Sequence, residues 1–280
     1  VPIKASLLKT IVNWRAQQCG GEIKLVERYD GSPILMQTFH AHADRSPSDM
    51  VMVANSGFGA IWPGANPGVL GEVAKANGAD LVRFYHPETL EPHKLRYDRM
   101  VRDVVDVVAA QAEEAKIVLV GASFGAAENM YAADCINAVT PGRVVGQAGW
   151  AMVPPVALLN LLKSQKGYKA FELGETDRLK IVSPTLAKPF VMSCEQRVSV
   201  SLYTPDQRGP LQPFNGAACF AAGIQDTVGH PSYTRAMLEQ LYPKQPAVVN
   251  ASIKELNCGH KIPTNDIAQS VQQVMRKLGR

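Results

Sequence analysis

No stretch of the chain approaches the roughly 18 consecutive apolar residues that a membrane helix needs, so no membrane span is expected. Charge of one sign is also scarce. The net charge is +4 over 280 residues, and no basic run with interleaved aromatics occurs, which argues against a nucleic-acid partner. Cysteine is sparse: Cys19, Cys135, Cys194, Cys219 and Cys258 are odd in number, scattered, and form no C-x-x-C pair. That pattern offers neither a disulfide framework nor a zinc site, and it predicts reduced thiols in a cytoplasmic protein. No charged-then-apolar signal sequence is visible from Val1 onward, although a leader already removed would leave no trace. No internal repeat is found.

What is present suffices for a core. With 46% hydrophobic residues, the chain can bury one without staples, as one large domain or two small ones. Residues 4–18 carry apolar residues at helical spacing until Cys19-Gly20-Gly21 stops the pattern. Glu22 to Arg28 alternates like a strand, Asp30-Gly31-Ser32 makes a hairpin turn, and Pro33 to His42 reads as the partner strand. Further strands are expected at 49–54, 80–85, 116–120, 143–148, 217–223 and 251–256. Helices are expected from Pro67 to Asn77 and at 98–115, 126–133, 231–241 and 265–278. A hairpin followed by alternating strand and helix predicts an α/β protein with a mostly parallel sheet.

Residues 150–213 break the alternation. They hold Pro154-Pro155 and an apolar helix-like run from Val156 to Leu162, and they are too long for a simple connection. The expected organisation is a core of residues 1–149 and 214–280 with a cap or lid at 150–213, over the C-terminal edge of the sheet where ligands bind. Leu158 and Leu162 are candidate linings of an acyl pocket; ordinary packing of a cap helix is the alternative.

The chemistry centres on Gly121-Ala122-Ser123-Phe124-Gly125. A buried β-branched strand precedes these residues and a helix follows them, which is the context of a nucleophile elbow. A serine there sits on a strained turn with small neighbours, and its hydroxyl projects at a helix N-terminus that favours developing negative charge. Such a site needs an acid and then a histidine in chain order. Asp226 follows the strand at 217–223, and His260 follows the last strand as the sole histidine beyond residue 230. His260 would take the serine proton while Asp226 orients its ring. His230, four residues after Asp226, is the competing base.

Oxyanion donors are expected from the backbone N–H of Phe124 and of Phe58, within Ser56-Gly57-Phe58-Gly59 after the third strand. The Ser56 hydroxyl is a candidate for a further hydrogen bond to substrate. His86 ends the fourth strand, as a substrate-binding candidate or a rim residue. His40 and His42 would share a face of the second strand, but no third ligand accompanies them, so no metal is expected.

On these residues the chain resembles the α/β-hydrolase superfamily. The carriers are Ser56-Gly57-Phe58-Gly59, the Gly121 to Gly125 elbow, Gly223 to Val228 and Cys258-Gly259-His260. They span roughly residues 22–278 without the cap, and Ser56 stands where many members have histidine. The segments Val51 to Phe58 and Leu81 to Tyr85 also resemble the acyl-transferase thioesterases of bacterial luminescence, which implies acyl substrates. The resemblance implies the α/β-hydrolase fold, with flanking helices on a mostly parallel sheet and an inserted cap. It also implies a cofactor-free serine hydrolase that cleaves an ester or acyl thioester through an acyl-enzyme. The substrate would be a small-molecule or carrier-bound acyl group. An acyltransferase using the same triad is the alternative, and a catalytically silent ligand-binding protein is the rival of another class.

Overall fold

The computed structural model describes residues 20–44, 46–55, 67–86, 96–182, 190–245 and 252–280. The expected helix at 4–18 and the Ser56 to Gly59 segment lie outside the described residues. The elements in order are β1 (Glu22–Glu27), β2 (Pro33–Phe39), β3 (Met50–Asn55), α1 (Gly68–Ala76), β4 (Asp80–Tyr85), α2 (Tyr97–Ala109), β5 (Lys116–Ala122), α3 (Phe124–Val139) and β6 (Val144–Trp150). They continue with α4 (Pro155–Lys163), α5 (Tyr168–Glu172), β7 (Arg178–Ile181), β8 (Phe190–Ser193), α6 (Cys194–Ser201), α7 (Pro205–Arg208), β9 (Ala217–Gly223), α8 (Pro231–Leu241), β10 (Ile253–Leu256) and α9 (Thr264–Lys277).

Eight strands form one sheet in the order β1-β2-β4-β3-β5-β6-β9-β10. The β1–β2 and β2–β4 pairs are antiparallel, and the rest are parallel. The central strands are largely apolar, as suits strands covered by helices on both faces, with Asn55 and Gln147 as buried polar exceptions. Every residue of β3 is buried. Along β5 the side chains divide by the two-residue period of a strand. Ile117 and Leu119 pack into the cluster with α2 and α3, whereas Val118 and Val120 join Val73, Val271 and Val274 of α1 and α9. This layering leaves the C-terminal ends of β5, β6, β9 and β10 side by side.

Helix α3 runs on to Val139, past the expected 133, several strand ends shift by one or two residues, and two further boundaries differ with consequences. Helix α2 ends at Ala109 rather than 115, because β5 starts at Lys116, whose N–H bonds to Asp49 O. A helix running to 115 would leave no residues to turn into that register. Strand β2 ends at Phe39, so His40 and His42 do not share a strand face. His40 contacts Asp80 and Glu22 instead, and His42 is exposed.

Among its described residues, the segment between β6 and β9 contains four short helices and the antiparallel β7–β8 pair, of which the sequence reading expects only α4. It packs into the same buried cluster as α2 and α3: Phe171, Leu179, Ile181 and Met192 lie there. Hydrogen bonds fasten it too, from Tyr97 N–H to Ser199 Oγ and from the Tyr131 hydroxyl to the Tyr203 carbonyl. Among the described residues no helix is long and apolar enough to cross a membrane.

Candidate active site

The strand-to-helix turn after β5 is where the backbone is most unusual. Ser123 has φ 54° and ψ −121°, one of two non-glycine residues with positive φ among those described. Such a conformation costs on the order of 1–3 kcal/mol and survives only where its surroundings enforce it. Here they do. The Ser123 N–H donates to Trp150 O at 3.0 Å, and the Val153 N–H donates to Ser123 O at 3.2 Å. Gly121 is required by close approach: a Cβ there would sit 2.6 Å from Ala126 N, where α3 folds back over the strand. Ser123 is half-buried, and Phe124 opens α3 with its backbone N–H at the helix N-terminus.

The acid and the histidine come from the neighbouring strand ends. Asp226 stands three residues beyond β9, fully buried, and His260 stands four beyond β10 with its side chain about 21% exposed. His260 Nδ1 lies 2.7 Å from Asp226 Oδ2. Their loops are zipped by Ile224 N–H to Leu256 O at 2.9 Å and Gln225 N–H to Cys258 O at 3.0 Å. Burial alone would raise the Asp226 carboxyl. The bond from His260 and the N–H groups of Gly229 and Val228 outweigh burial and hold it below its ordinary value. An ionised Asp226 accepts from Nδ1–H, which leaves Nε2 of the imidazole as the proton acceptor. The serine turn and the acid loop also share a brace. The Ala151 N–H, directly after β6, bonds to Ala221 O of β9 at 2.8 Å, and Ala151 is the second positive-φ residue, at 47°.

Other candidates fall elsewhere. His230 caps α8: its Nδ1 accepts from the Ser232 N–H at 3.2 Å, which occupies that nitrogen in a local role. His86 is a correction to the rim expectation, because it is 2% exposed. Its Nδ1 lies 2.7 Å from Asp103 Oδ2 and its Nε2 3.3 Å from Asn55 Oδ1. A side chain so enclosed does not meet substrate at the surface of the site. Leu158 and Leu162, at 1% and 0% exposed, pack within the main apolar cluster. Side chains so enclosed fit the packing alternative. Ser56 and Phe58 lie outside the described residues. No group of three metal-ligating side chains occurs among the described residues. Cys135, Cys194, Cys219 and Cys258 are free thiols.

One residue escaped the sequence reading. Glu128, five positions after Ser123 on α3, is completely buried and accepts a 2.8 Å hydrogen bond from Asn55 Nδ2. Its signal was a lone carboxylate in Phe124-Gly125-Ala126-Ala127-Glu128-Asn129-Met130-Tyr131-Ala132-Ala133, a helix with no polar face to carry it to solvent.

The sheet order, the strained serine turn after β5 and the acid and histidine at the ends of β9 and β10 define an α/β-hydrolase fold. Solved structures agree. A protein named as a hydrolase from Agrobacterium vitis S4 superposes with TM-score 0.70 at 14% identity, covering 91% of this chain and 98% of that one. Alpha/beta hydrolase domain-containing protein 10 from mouse gives 0.69 at 14% identity, with 92% and 99% covered. Est1E from Butyrivibrio proteoclasticus gives 0.66 at 13% identity, with 93% and 100% covered. No family model matches the chain, and no curated protein matches it in sequence.

Proposed function

We propose that this protein is a serine hydrolase that cleaves an ester or acyl thioester through Ser123, His260 and Asp226. The observation that carries the reading is the 2.7 Å bond from His260 to a buried Asp226, at the sheet edge that also presents Ser123 in its strained turn. Ser123 Oγ attacks the carbonyl carbon and its proton passes to His260 Nε2. The tetrahedral intermediate collapses, the leaving alcohol or thiol takes that proton, and an acyl-enzyme remains. Water repeats the cycle in reverse, giving its proton to His260 and releasing the acid and Ser123. The Phe124 N–H at the start of α3 is one oxyanion donor, aided by the helix dipole. Phe58 N–H is the second donor on the sequence argument. Neither step calls for a cofactor. The Val153 N–H braces the serine turn, which supports a role for the inserted segment in restricting which acyl groups enter.

The test is labelling by a fluorophosphonate, which traps an activated serine covalently. Wild type is expected to label at Ser123 and Ser123→Ala not at all, with an unchanged thermal transition. Turnover of p-nitrophenyl esters should fall on the order of 10⁴–10⁶-fold in that variant. Undiminished labelling of Ser123→Ala would remove the assignment.

A further inference from the structure

Behind the serine turn lies a chain of buried polar side chains that the acyl-transfer chemistry does not use. Arg28 Nη2 donates to Asp103 Oδ2 at 2.7 Å, and the same oxygen meets His86 Nδ1 at 2.7 Å. His86 Nε2 faces Asn55 Oδ1 at 3.3 Å, and Asn55 Nδ2 donates to Glu128 Oε2 at 2.8 Å. The run crosses four elements: the turn after β1, α2, the end of β4 and the end of β3, before it reaches α3. All five side chains are at most 4% exposed.

The donor and acceptor pattern sets the protonation. Asn55 Nδ2 points at the Glu128 carboxylate and the Gly125 carbonyl, both acceptors only, so its orientation is fixed. Its Oδ1 therefore faces His86, and Nε2 must carry a proton. Asp103 Oδ2, which also accepts from Arg28, faces Nδ1 as an acceptor and requires a proton there as well. His86 is thus a buried imidazolium. Against the burial that would lower it, Asp103 and Glu128 raise its pKa. With Arg28 and His86 positive, and Asp103 and Glu128 negative, the cluster is neutral.

We propose that Glu128 is a positioning residue for the acyl-transfer site, its carboxylate locking the end of β3 through Asn55 to the helix that begins at Ser123. The inference rests on the acyl-transfer reading above. Asn55 pairs with Gly121 in the β3–β5 register and is bonded covalently to Ser56, where the sequence places the first oxyanion segment. The lock therefore ties the end of β3 to the strand and helix that flank Ser123. Protonating Glu128 removes the charge that holds His86 and Asn55, and slackens the lock. Among the described residues, the groups facing Glu128 are His86 from the end of β4, Asn55 from β3, and Asp103 and Tyr97 from α2. Burial pushes the Glu128 carboxyl up to about 7, against the opposing pull of His86 and Asn55, and its Oε1 has no hydrogen-bond partner among the described residues. The lock consequently titrates where enzymes operate.

The experiment is the rate of fluorophosphonate labelling as a function of pH, on wild type, Ser123→Ala, Glu128→Gln and Glu128→Ala. In wild type the Glu128 carboxyl must lose its proton, so the acid limb should be steeper, by up to one power of proton concentration, than in a variant without that carboxyl. Glu128→Gln keeps an oxygen that accepts from Asn55. It lacks the charge, so it should label like protonated wild type, about tenfold or more slower at the plateau, with an acid limb shallower by that power. Glu128→Ala should lose about tenfold or more at the plateau. Superimposable acid limbs for wild type and Glu128→Gln, or a folded Glu128→Ala that labels at the wild-type rate, would overturn the proposal alone. Failure of wild type to label would overturn the acyl-transfer reading and this proposal with it.

Discussion

A Cβ on Gly223 would lie 2.3 Å from the Cys258 carbonyl oxygen and 2.4 Å from that of Gly259. The end of the strand that leads to Asp226 thus touches the loop that carries His260, with room for hydrogen only. Gly223→Ala should drive the two loops apart. The expected result is a loss of roughly 1–3 kcal/mol in denaturant stability, as for other overpacked sites. Labelling of Ser123 should fall further than stability explains, on the order of 10²-fold, because the His260 ring is displaced. Wild-type labelling in a destabilised Gly223→Ala would show that the contact holds the fold and not the dyad.

His260 and His230 separate by role. His260→Ala should abolish ester turnover about as fully as Ser123→Ala, and the Ser123/His260 double variant should be little worse than either single one. His230→Ala should leave turnover intact and cost roughly 1 kcal/mol in thermal or chemical denaturation, because it removes the acceptor that caps α8. An inactive His230→Ala beside an active His260→Ala would exchange their assignments.

Leu158 and Leu162 belong to the packed core, so their substitution should not select among acyl chains. Leu158→Ala and Leu162→Ala should each lose roughly 2–5 kcal/mol of stability. Their activity on p-nitrophenyl esters from acetyl to long chains should change by one common factor. A selective loss of long-chain turnover would return these leucines to the acyl site.

Asp226 links the site to acid stability. Its folded carboxyl is held below the ordinary value of 3.8, so its contribution is present above that pH and is lost as pH falls through the folded value. Asp226→Asn should therefore show a flatter fall of denaturation free energy below about pH 4 than wild type. At neutral pH the variant should be nearly inactive, because an amide facing Nδ1 favours the wrong tautomer. An unchanged acid slope in Asp226→Asn would mean that its bonds add nothing to folding.

Much of the scaffold was legible locally. Strand β9 and helix α8 fall at 217–223 and 231–241, as read, because glycine and proline punctuate strongly patterned runs. The insertion was not legible in the same way. Strands of four residues such as β7 and β8 are too short to show a period, and their pairing joins positions with unrelated sequence. Helix α6 did carry a local signal. Ser193-Cys194-Glu195-Gln196 forms a capping box, with both reciprocal bonds present.

The sequence alone determined the order of the strands and helices outside the insertion, the elbow with Ser123, and the positions of Asp226 and His260 after strand ends. Those features follow from hydrophobic period, turn chemistry and small residues beside a serine, all local properties. Tertiary structure decided what becomes of each polar side chain. His86 and Asp103 lie 17 positions apart and Asn55 and Glu128 lie 73 apart, yet they form one buried cluster. Leu158 and Leu162 likewise became core because α2, α3 and the insertion close over them. Burial and hydrogen-bond partnership are properties of the assembled layers, and the sequence spacing of these residues carries no trace of them.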